Sequence, residues 1–125
     1  MRREMLRAKI HRATVTLTDV EYEGSLTLDR ELMDAAGLIP FERIDVYNVS
    51  NAARFSTYVI EGEPRSGTVC VNGAAARLAA AGDKIIIAAY ASYDEAEIHR
   101  NQPTVILVDS TNRITSISAP AKSRR

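Results

Sequence analysis

Residues 44–61, IDVYNVSNAARFSTYVIE, predict two consecutive β-strands and indicate the class of the fold. The segments 44–49 and 54–61 are rich in β-branched and aromatic residues, and a polar connection joins them. On the second strand Arg54 and Tyr58 lie on the same face, because side chains alternate along a strand. A guanidinium and a phenol on one face form a candidate anion site with a proton donor, although a row of ordinary exposed polar residues is the commoner case.

Shorter strands are predicted on both sides of this pair, at 5–17, 26–28, 68–71, 84–90, 104–108 and 113–118. A helix at 30–36 has Asp29 as its N-cap and ends at Gly37. The alanine-rich segment 74–81 predicts a second helix with Asn72 at its start. Strands outnumber helices without a βαβ alternation, which favours a small closed β-barrel of six or seven strands over a parallel sheet.

The first strand has an irregular pattern. Its apolar residues occupy even positions up to Ile10 and odd positions from Ala13. In a regular strand Lys9 and His11 share a face with the second apolar set, whereas a bulge separates them, and the pattern leaves both arrangements open. The ordinary role of Lys9 is a solvated surface amine, and that of His11 is a partly buried or interface histidine.

Composition limits the function classes. The 125 residues suffice for one domain, and 16 basic and 16 acidic side chains cancel, so no net charge recruits nucleic acid or an anionic membrane. The single cysteine, Cys70, excludes a disulfide framework and a cysteine-based metal site, and is interpreted as a small buried hydrophobe. The sequence lacks a signal-peptide pattern and an apolar run of membrane-spanning length, so we expect a soluble cytoplasmic protein.

Tyr22-Glu23-Gly24-Ser25 is the stretch with the most reactive chemistry. Gly-Ser is a common turn dipeptide, and its ordinary interpretation is a loop in which Gly24 has a positive φ. A serine hydroxyl also attacks the preceding carbonyl carbon when the oxyanion is stabilised, which converts the amide into an ester. Elimination then frees the upstream carboxylate and leaves a dehydroalanine that hydrolyses to a pyruvoyl group. Asn72, with the free N–H groups of a helix start, suits such an oxyanion or a carboxylate.

Five motifs occur together along the chain: Lys9-Ile10-His11-Arg12, Tyr22-Glu23-Gly24-Ser25, Asn48-Val49-Ser50-Asn51, Arg54-Phe55-Ser56-Thr57-Tyr58 and Val71-Asn72-Gly73-Ala74-Ala75-Ala76. Each motif alone is weak evidence for any family. In combination, their order and spacing resemble those of bacterial aspartate 1-decarboxylases over residues 1–118. The resemblance implies a single domain, a six-stranded double-psi β-barrel with short helices, assembled as a homotetramer with active sites between neighbouring subunits.

The same resemblance implies a self-processed enzyme. A proenzyme cleaves between Gly24 and Ser25 into a β chain, 1–24, and an α chain, 25–125, which begins with a pyruvoyl group made from Ser25. The mature enzyme converts L-aspartate to β-alanine and carbon dioxide for pantothenate and coenzyme A synthesis. The substrate is held as a Schiff base on the pyruvoyl group, which replaces pyridoxal phosphate, and no metal takes part. Some bacteria encode an acetyltransferase-like maturation factor, and the sequence leaves open whether this chain needs one.

The matched motifs also imply roles for single residues. Ser25 supplies the catalytic pyruvoyl group, and Tyr58 donates the proton to the former α carbon. Thr57 and Asn72 contact the oxyanion or the scissile carbonyl during processing. The substrate-binding set comprises Lys9, Arg54, Thr57, Gly73, Ala74 and Ala75.

Cations are required in this set because aspartate brings two carboxylates. Which of Lys9 and Arg54 binds which carboxylate stays open. Three further residues match family positions near the site: His11, Tyr22 and Tyr47. Tyr47 stands where a subgroup of the family has tryptophan, and its ring is expected to wall the pocket.

Two alternatives remain beside this interpretation. An unprocessed barrel of the same architecture serves as a binding or structural module, since one fold hosts many functions. The same chemistry on glutamate is also compatible with the residues, because one methylene changes binding by only about 1–3 kcal/mol. The basic segment 119–125 is expected to be a frayed tail and receives no function.

Overall fold

The computed structural model describes residues 1–118, and the tail expected at 119–125 lies outside the described residues. Within 1–118 the chain forms nine strands, two α-helices and one 3₁₀ helix. In chain order these are β1 (Arg3–Thr14), β2 (Leu17–Asp19), β3 (Ser25–Asp29), α1 (Arg30–Ala36), β4 (Arg43–Asn48), β5 (Arg54–Gly62), β6 (Val69–Asn72), the 3₁₀ helix (Gly73–Leu78), β7 (Lys84–Tyr93), α2 (Glu95–Arg100), β8 (Thr104–Val108) and β9 (Ile114–Ser118). The mainly β class is confirmed, and the double-psi barrel stays a prediction.

The strands are hydrogen-bonded in the order β2-β6-β3-β5-β4-β7-β1-β8-β9. The pairs β1–β8, β2–β6 and β3–β5 are parallel, and the other pairs are antiparallel. The sequence predicted eight strand segments and a barrel of six or seven strands, and both numbers are below the nine strands of the described part of the chain. One strand that it missed, β2, has only three residues, too few for an alternating pattern to be recognised.

A bulge explains the irregular first strand. β1 pairs with β7 with two register shifts, one before Ala8 and one after Ile10. Arg12, within the second shift, has a φ of 63°, and the extra residue returns Ala13 to the buried side of the sheet. Lys9 lies before this second shift and is therefore separated from the second apolar set. Its side chain is half-buried.

The hydrophobic core lies between α1 and the inner faces of the strands. In strands such as β4, buried side chains alternate with less buried ones, whereas all four residues of β6 are buried and none of β2 or β9 is. The largest fully buried side chains are Ile10, Val15, Leu26, Leu28, Leu32, Met33, Ile44, Val46, Val59, Ile85, Ile87 and Ile106. Cys70 is buried as well, which confirms its interpretation as an interior residue.

Helix α1 begins and ends as the sequence predicts. The Asp29 carboxylate accepts a hydrogen bond from the Glu31 N–H at 2.8 Å, and Gly37 ends the helix with a φ of 73°. The same carboxylate also accepts from the backbone N–H groups of Arg65 at 2.8 Å and Gly67 at 2.9 Å. Asp29 therefore ties α1 to the loop before β6.

The helix predicted at 74–81 is wrong in type and extent. The segment Gly73–Leu78 is a 3₁₀ helix of six residues. Asn72 precedes it as expected, but its side chain makes no capping hydrogen bond. The reason is that its amide is engaged across the sheet with β3, and Gly73 enters the turn with a φ of 68°, outside the helical range.

Candidate active site

Strand pairing brings Ser25 next to Asn72. β3 and β6 are antiparallel neighbours in which Ser25 lies opposite Asn72 and Thr27 lies opposite Cys70. Alternation along both strands places these four side chains on one side of the ladder. Ser25 and Asn72 are only 1% and 2% exposed, so bulk water is largely excluded from the serine hydroxyl.

A hydrogen-bond network holds the serine hydroxyl. The side-chain N–H₂ of Asn72 donates to Ser25 Oγ at 2.9 Å and to Thr27 Oγ1 at 2.9 Å. The thiol of Cys70 donates to Asn72 Oδ1 at 3.1 Å. Ser25 Oγ also lies 3.5 Å from the carbonyl oxygen of Glu23, at the limit of a hydrogen bond. The Ser25 hydroxyl is thus positioned at the start of β3.

Gly73, rather than Gly24, is the glycine with an unusual backbone. Gly73 has a φ of 68°, whereas Gly24 is not among the residues with positive φ, so the φ expected for Gly24 is corrected. A Cβ added to Gly73 would lie 2.5 Å from Gly24 Cα and 3.1 Å from the Tyr22 carbonyl oxygen. A Cβ added to Gly24 would meet nothing within 4 Å. Gly73 therefore permits the close approach of the segment that holds the Gly24–Ser25 bond.

Thr57 and Tyr58 lie on β5, the strand next to β3. β3 and β5 are parallel with Leu26 opposite Val59, so the preceding residues, Ser25 and Tyr58, are neighbours across the two strands. Thr57 is half-buried and pairs with Ile44 on β4. The ring of Tyr58 is partly exposed, with its centroid 6.2 Å from that of Phe41.

Strand pairing thus brings seven of the residues singled out from the sequence to neighbouring backbone positions on or beside β3, β5 and β6. We call them the cleavage group: Tyr22, Gly24, Ser25, Thr57, Tyr58, Asn72 and Gly73. Ala74 and Ala75 follow Gly73 directly in the 3₁₀ helix, exposed and half-buried respectively. Tyr22 is exposed, and its backbone rather than its ring approaches Gly73.

The remaining sequence-predicted residues lie elsewhere on the sheet. Lys9 on β1 pairs with Ala88, which pairs with Asp45, which pairs with Ser56. Arg54 and Tyr47 are partners on β5 and β4, and the Arg54 guanidinium lies 4.2 Å from the centre of the Tyr47 ring, a cation–π contact. We call Lys9, Tyr47 and Arg54 the cation group.

The two groups are separate within one chain. Tyr58 is four positions after Arg54 on β5, which corresponds to about 13 Å. Three strand spacings, about 14 Å, separate Lys9 from β5. Among residues 1–118, no hydrogen bond joins either cation to Ser25.

A tyrosine that the sequence did not single out completes the cation group. The hydroxyl groups of Tyr47 and Tyr90 are 2.8 Å apart. This hydrogen bond, together with burial, raises the pKa of Tyr90 to about 12. Tyr90 also lines a cavity of about 400 Å³ with Arg43 and Asp45. The sequence of β7 did not predict this contact, because a sequence alone does not show which residues of different strands lie next to each other.

His11 is half-buried on β1, and its Nδ1 has no hydrogen-bond partner among the described residues. Burial lowers its pKa, and the charges of Lys9 and Arg12 lower it further. The imidazole is therefore largely neutral near pH 7.

The hydrogen-bonding roles of Thr27 and Cys70 were also missed. Thr27 lay in a short predicted strand, and Cys70 was interpreted only as apolar. Within residues 1–118 there is no group of three or more His, Cys, Asp or Glu side chains arranged to bind a metal. No helix of this region is both long and apolar enough to cross a membrane.

Comparison with known proteins shows which family the chain is similar to. The sequence model of the family described as aspartate decarboxylase matches residues 1–115. A protein of Syntrophobacter fumaroxidans named aspartate 1-decarboxylase is 62% identical over 113 residues, which cover 90% of this chain and 91% of that protein.

Similar agreement extends to relatives of the same name. The protein of Wolinella succinogenes is 54% identical over 117 residues, 94% of this chain and 97% of the relative. That of Ralstonia nicotianae is 51% identical over 119 residues, 95% of this chain and 99% of the relative. Identity of this level over nearly the whole length shows common descent, and the chain therefore belongs to the aspartate decarboxylase family of enzymes.

Proposed function

We propose that this chain is a self-processing, pyruvoyl-dependent decarboxylase that converts L-aspartate to β-alanine and carbon dioxide, a step towards pantothenate. The observation that carries the proposal is the buried Ser25 hydroxyl, held at 2.9 Å by the Asn72 amide directly after an exposed Gly24. Asn72 holds the Ser25 hydroxyl at the start of β3, and the family is named for aspartate decarboxylation. Both observations support Ser25 as the precursor of a covalent carbonyl cofactor.

The first chemical step is an acyl shift within the chain. Ser25 Oγ attacks the carbonyl carbon of Gly24, the new C–O bond replaces the C–N bond, and the hydroxyl proton moves to the released amine of Ser25. Asn72 stabilises charge on the oxygen through its N–H donors, and Thr57, from β5, is the second candidate for contacting the oxyanion. No external reagent is needed in this step.

Elimination and hydrolysis follow. The Cβ–O bond of the ester breaks as the Cα proton leaves, which releases the Gly24 carboxylate and leaves an unsaturated residue. Water then converts this residue to the pyruvoyl group, with loss of one ammonia. The balance for the whole process is one water consumed and one ammonia released for each chain.

The residues present fit a pyruvoyl group at position 25. The position is buried and lies beside Asn72 and Tyr58, and the Gly73 backbone leaves room for the chain end at Gly24. The group supplies an electrophilic carbonyl that binds the substrate amine and accepts the electrons released with carbon dioxide. Tyr58, on the strand next to Ser25, donates a proton to the former α carbon.

Arg54 and Lys9 supply the positive charge for the two substrate carboxylates. The Arg54 guanidinium is planar and suits bidentate binding, and Lys9 acts as a point charge. Ala74 and Ala75 follow Gly73 in the 3₁₀ helix and offer backbone groups to the substrate. His11 is a further neighbour of Lys9 on β1, and no step is assigned to it.

The separation of the two groups supports sites shared between subunits. Within one chain the cation group lies about 13 Å along β5 from the cleavage group. A homotetramer in which the cleavage group of one subunit faces the cation group of its neighbour brings them together. The exposed side chains of Tyr22, Arg54 and Tyr58 are compatible with burial in such an interface. A cytoplasmic location and a maturation factor as partner stay predictions.

Intact mass of the denatured protein tests the proposal. We expect two fragments separated after Gly24, with an α chain lighter by one ammonia than a chain that begins with an unmodified serine. The Ser25→Ala variant should remain one chain without decarboxylase activity, because no hydroxyl is left to attack. A cleaved, active Ser25→Ala protein would contradict the proposal.

Two further outcomes of this measurement are informative. A fragment that begins with an unmodified serine would mean hydrolysis without cofactor formation and would refute the pyruvoyl mechanism. A wild-type chain that stays uncut even with a maturation factor would support a non-enzymatic barrel. Turnover of L-aspartate and L-glutamate by the cleaved protein, compared at equal concentrations, determines the substrate.

A further inference from the structure

We propose that Cys70 and Thr27 are positioning residues that orient the Asn72 side-chain amide for self-cleavage of this chain. The inference rests on the proposed function, because it concerns the rate at which the Gly24–Ser25 bond is cut. It assigns a specific task to two interior residues that do not touch the scissile carbonyl and act through Asn72.

Both N–H groups and the oxygen of the Asn72 side-chain amide have a hydrogen-bond partner. The nitrogen donates at 2.9 Å to Ser25 Oγ and at 2.9 Å to Thr27 Oγ1, and the oxygen accepts from the Cys70 thiol at 3.1 Å. An amide rotated by half a turn would direct its oxygen towards the two hydroxyl groups and its N–H donors towards sulfur, a weak acceptor. The thiol therefore favours the orientation in which an N–H faces the nucleophile.

The ionisation of Cys70 is consistent with a donor role. Burial raises the pKa of the thiol, and the negative charge of Asp19 raises it further. The thiol is thus held in its protonated form near neutral pH, and its proton is available for Asn72 Oδ1. The four side chains come from two successive cross-strand pairs of β3 and β6, so the backbone register fixes their proximity.

The consequence for cleavage concerns the charge on Ser25 Oγ. As this oxygen loses its proton during attack, an N–H already aimed at it stabilises the transition state without reorganisation. Without the Cys70 thiol, the amide loses its only partner for Oδ1 among the described residues and is free to rotate. Without the Thr27 hydroxyl, one of its N–H groups is left buried and unpaired.

The test measures the rate of cleavage rather than decarboxylation. Full-length chains are made by cell-free translation, and the uncut fraction is followed over time by intact mass. Cys70→Ala and Thr27→Val should slow cleavage by roughly three- to tenfold, the range expected for loss of one net hydrogen bond. Cys70→Ser and Thr27→Ser keep a donor or acceptor at each position and should cleave at a rate close to that of the wild type.

Thr18→Val is the matched control, since it removes a hydroxyl from β2 opposite Val71 of β6 without touching the network. It should leave the cleavage rate unchanged. Thermal unfolding of each variant checks that the fold is retained, and if Cys70→Ala fails to fold, the Thr27 pair carries the test alone. Fully cleaved variants should have wild-type kcat, because the two residues act before the enzyme matures.

Other results would overturn the inference. Cleavage of Cys70→Ala and Thr27→Val at the wild-type rate would show that Asn72 needs no such support. Equal slowing by alanine and serine at position 70 would point to the volume of the side chain instead of its hydrogen bond. A wild-type chain that is never cut, even with a maturation factor added, refutes the proposed function and this inference together, whereas a cut wild type with equally fast variants refutes the inference alone.

Discussion

At the scale of single residues, two glycines beside the scissile bond have different tasks. In the proposed cleavage Gly24 provides the carbonyl that is attacked, and its backbone is neither strained nor crowded. Gly73 combines a positive φ with backbone atoms of Gly24 at 2.5 Å from the position of a Cβ. Sequence reasoning attributed the special conformation to Gly24 because a Gly-Ser pair is typical of turns, whereas the contact that requires a glycine comes from another strand.

Gly73→Ala should destabilise the protein and block cleavage, while Gly24→Ala should fold normally. The left-handed backbone at position 73 alone costs an alanine about 1–2 kcal/mol, and the clash with Gly24 adds to this. Chemical denaturation gives the free energy of unfolding, and intact mass gives the cleaved fraction. Equal stability of the two variants would contradict the role assigned to Gly73.

At the scale of elements, one carboxylate joins a helix to a loop. Asp29 is 2% exposed and accepts hydrogen bonds from the N–H groups of Glu31, Arg65 and Gly67. It ends β3, which begins at Ser25, and so anchors the strand that carries the nucleophile. The N-cap was predictable from the local pattern, but the two bonds to the later loop were not, because they connect residues far apart in sequence.

Asp29→Ala should lower the free energy of unfolding by about 2–4 kcal/mol, since it removes an N-cap and leaves buried donors unpaired. Asp34→Ala in the same helix is the control, because Asp34 is exposed and pairs only with Arg30 at the surface. Urea denaturation of both variants gives the comparison. A similar effect at the two positions would mean that the buried bonds of Asp29 contribute little.

The contact between β4 and β7 can be tested through a titration. The hydrogen bond between the hydroxyl groups of Tyr90 and Tyr47 is the largest cause that raises the pKa of Tyr90 from 10.0 to about 12. Tyr47→Phe should therefore move the pKa of Tyr90 back towards 10, as measured by ultraviolet absorbance of tyrosinate. The Tyr90→Phe variant shows which part of the absorbance change comes from Tyr90, and Tyr93→Phe on the same strand is the control.

The sign of the accompanying stability change follows from the raised pKa. Because the folded value lies above the unfolded one, the contribution of this hydrogen bond is complete below pH 10 and is lost as the pH rises towards 12. Wild type and Tyr47→Phe should consequently approach each other in stability over that interval. A constant difference between them would indicate that the phenol pair does not control the titration of Tyr90.

At the scale of the whole molecule, the distribution of site residues argues for assembly. The cleavage group and the cation group lie on different parts of one nine-stranded sheet. For the proposed reaction each group is incomplete alone, since the first lacks a cation for the substrate carboxylates and the second lacks the proposed nucleophile. A homo-oligomer in which the cleavage group of one subunit faces the cation group of its neighbour would supply both groups at every site.

Mixed assemblies test this arrangement. Tyr58→Phe subunits should cleave themselves but lose most turnover, and Arg54→Ala subunits should lose substrate binding. Coexpression of the two should restore activity in about a quarter of the sites, because random neighbours pair an intact Tyr58 with an intact Arg54 with that frequency. Two Arg54→Ala subunits tagged differently serve as the control. Without recovery in the mixture, both residues would belong to one chain's site.

The sequence by itself determined the mainly β class, the cap and end of α1, and the family. These depend on local backbone preferences or on motifs whose order survives along the chain. The tertiary structure decided the bulge at Arg12, the 3₁₀ form of the segment after Asn72, the need for glycine at position 73, and the partners of Cys70 and Tyr90. Each of these depends on strands that meet only when the sheet has formed, since the energy of a cross-strand contact is invisible to any local pattern.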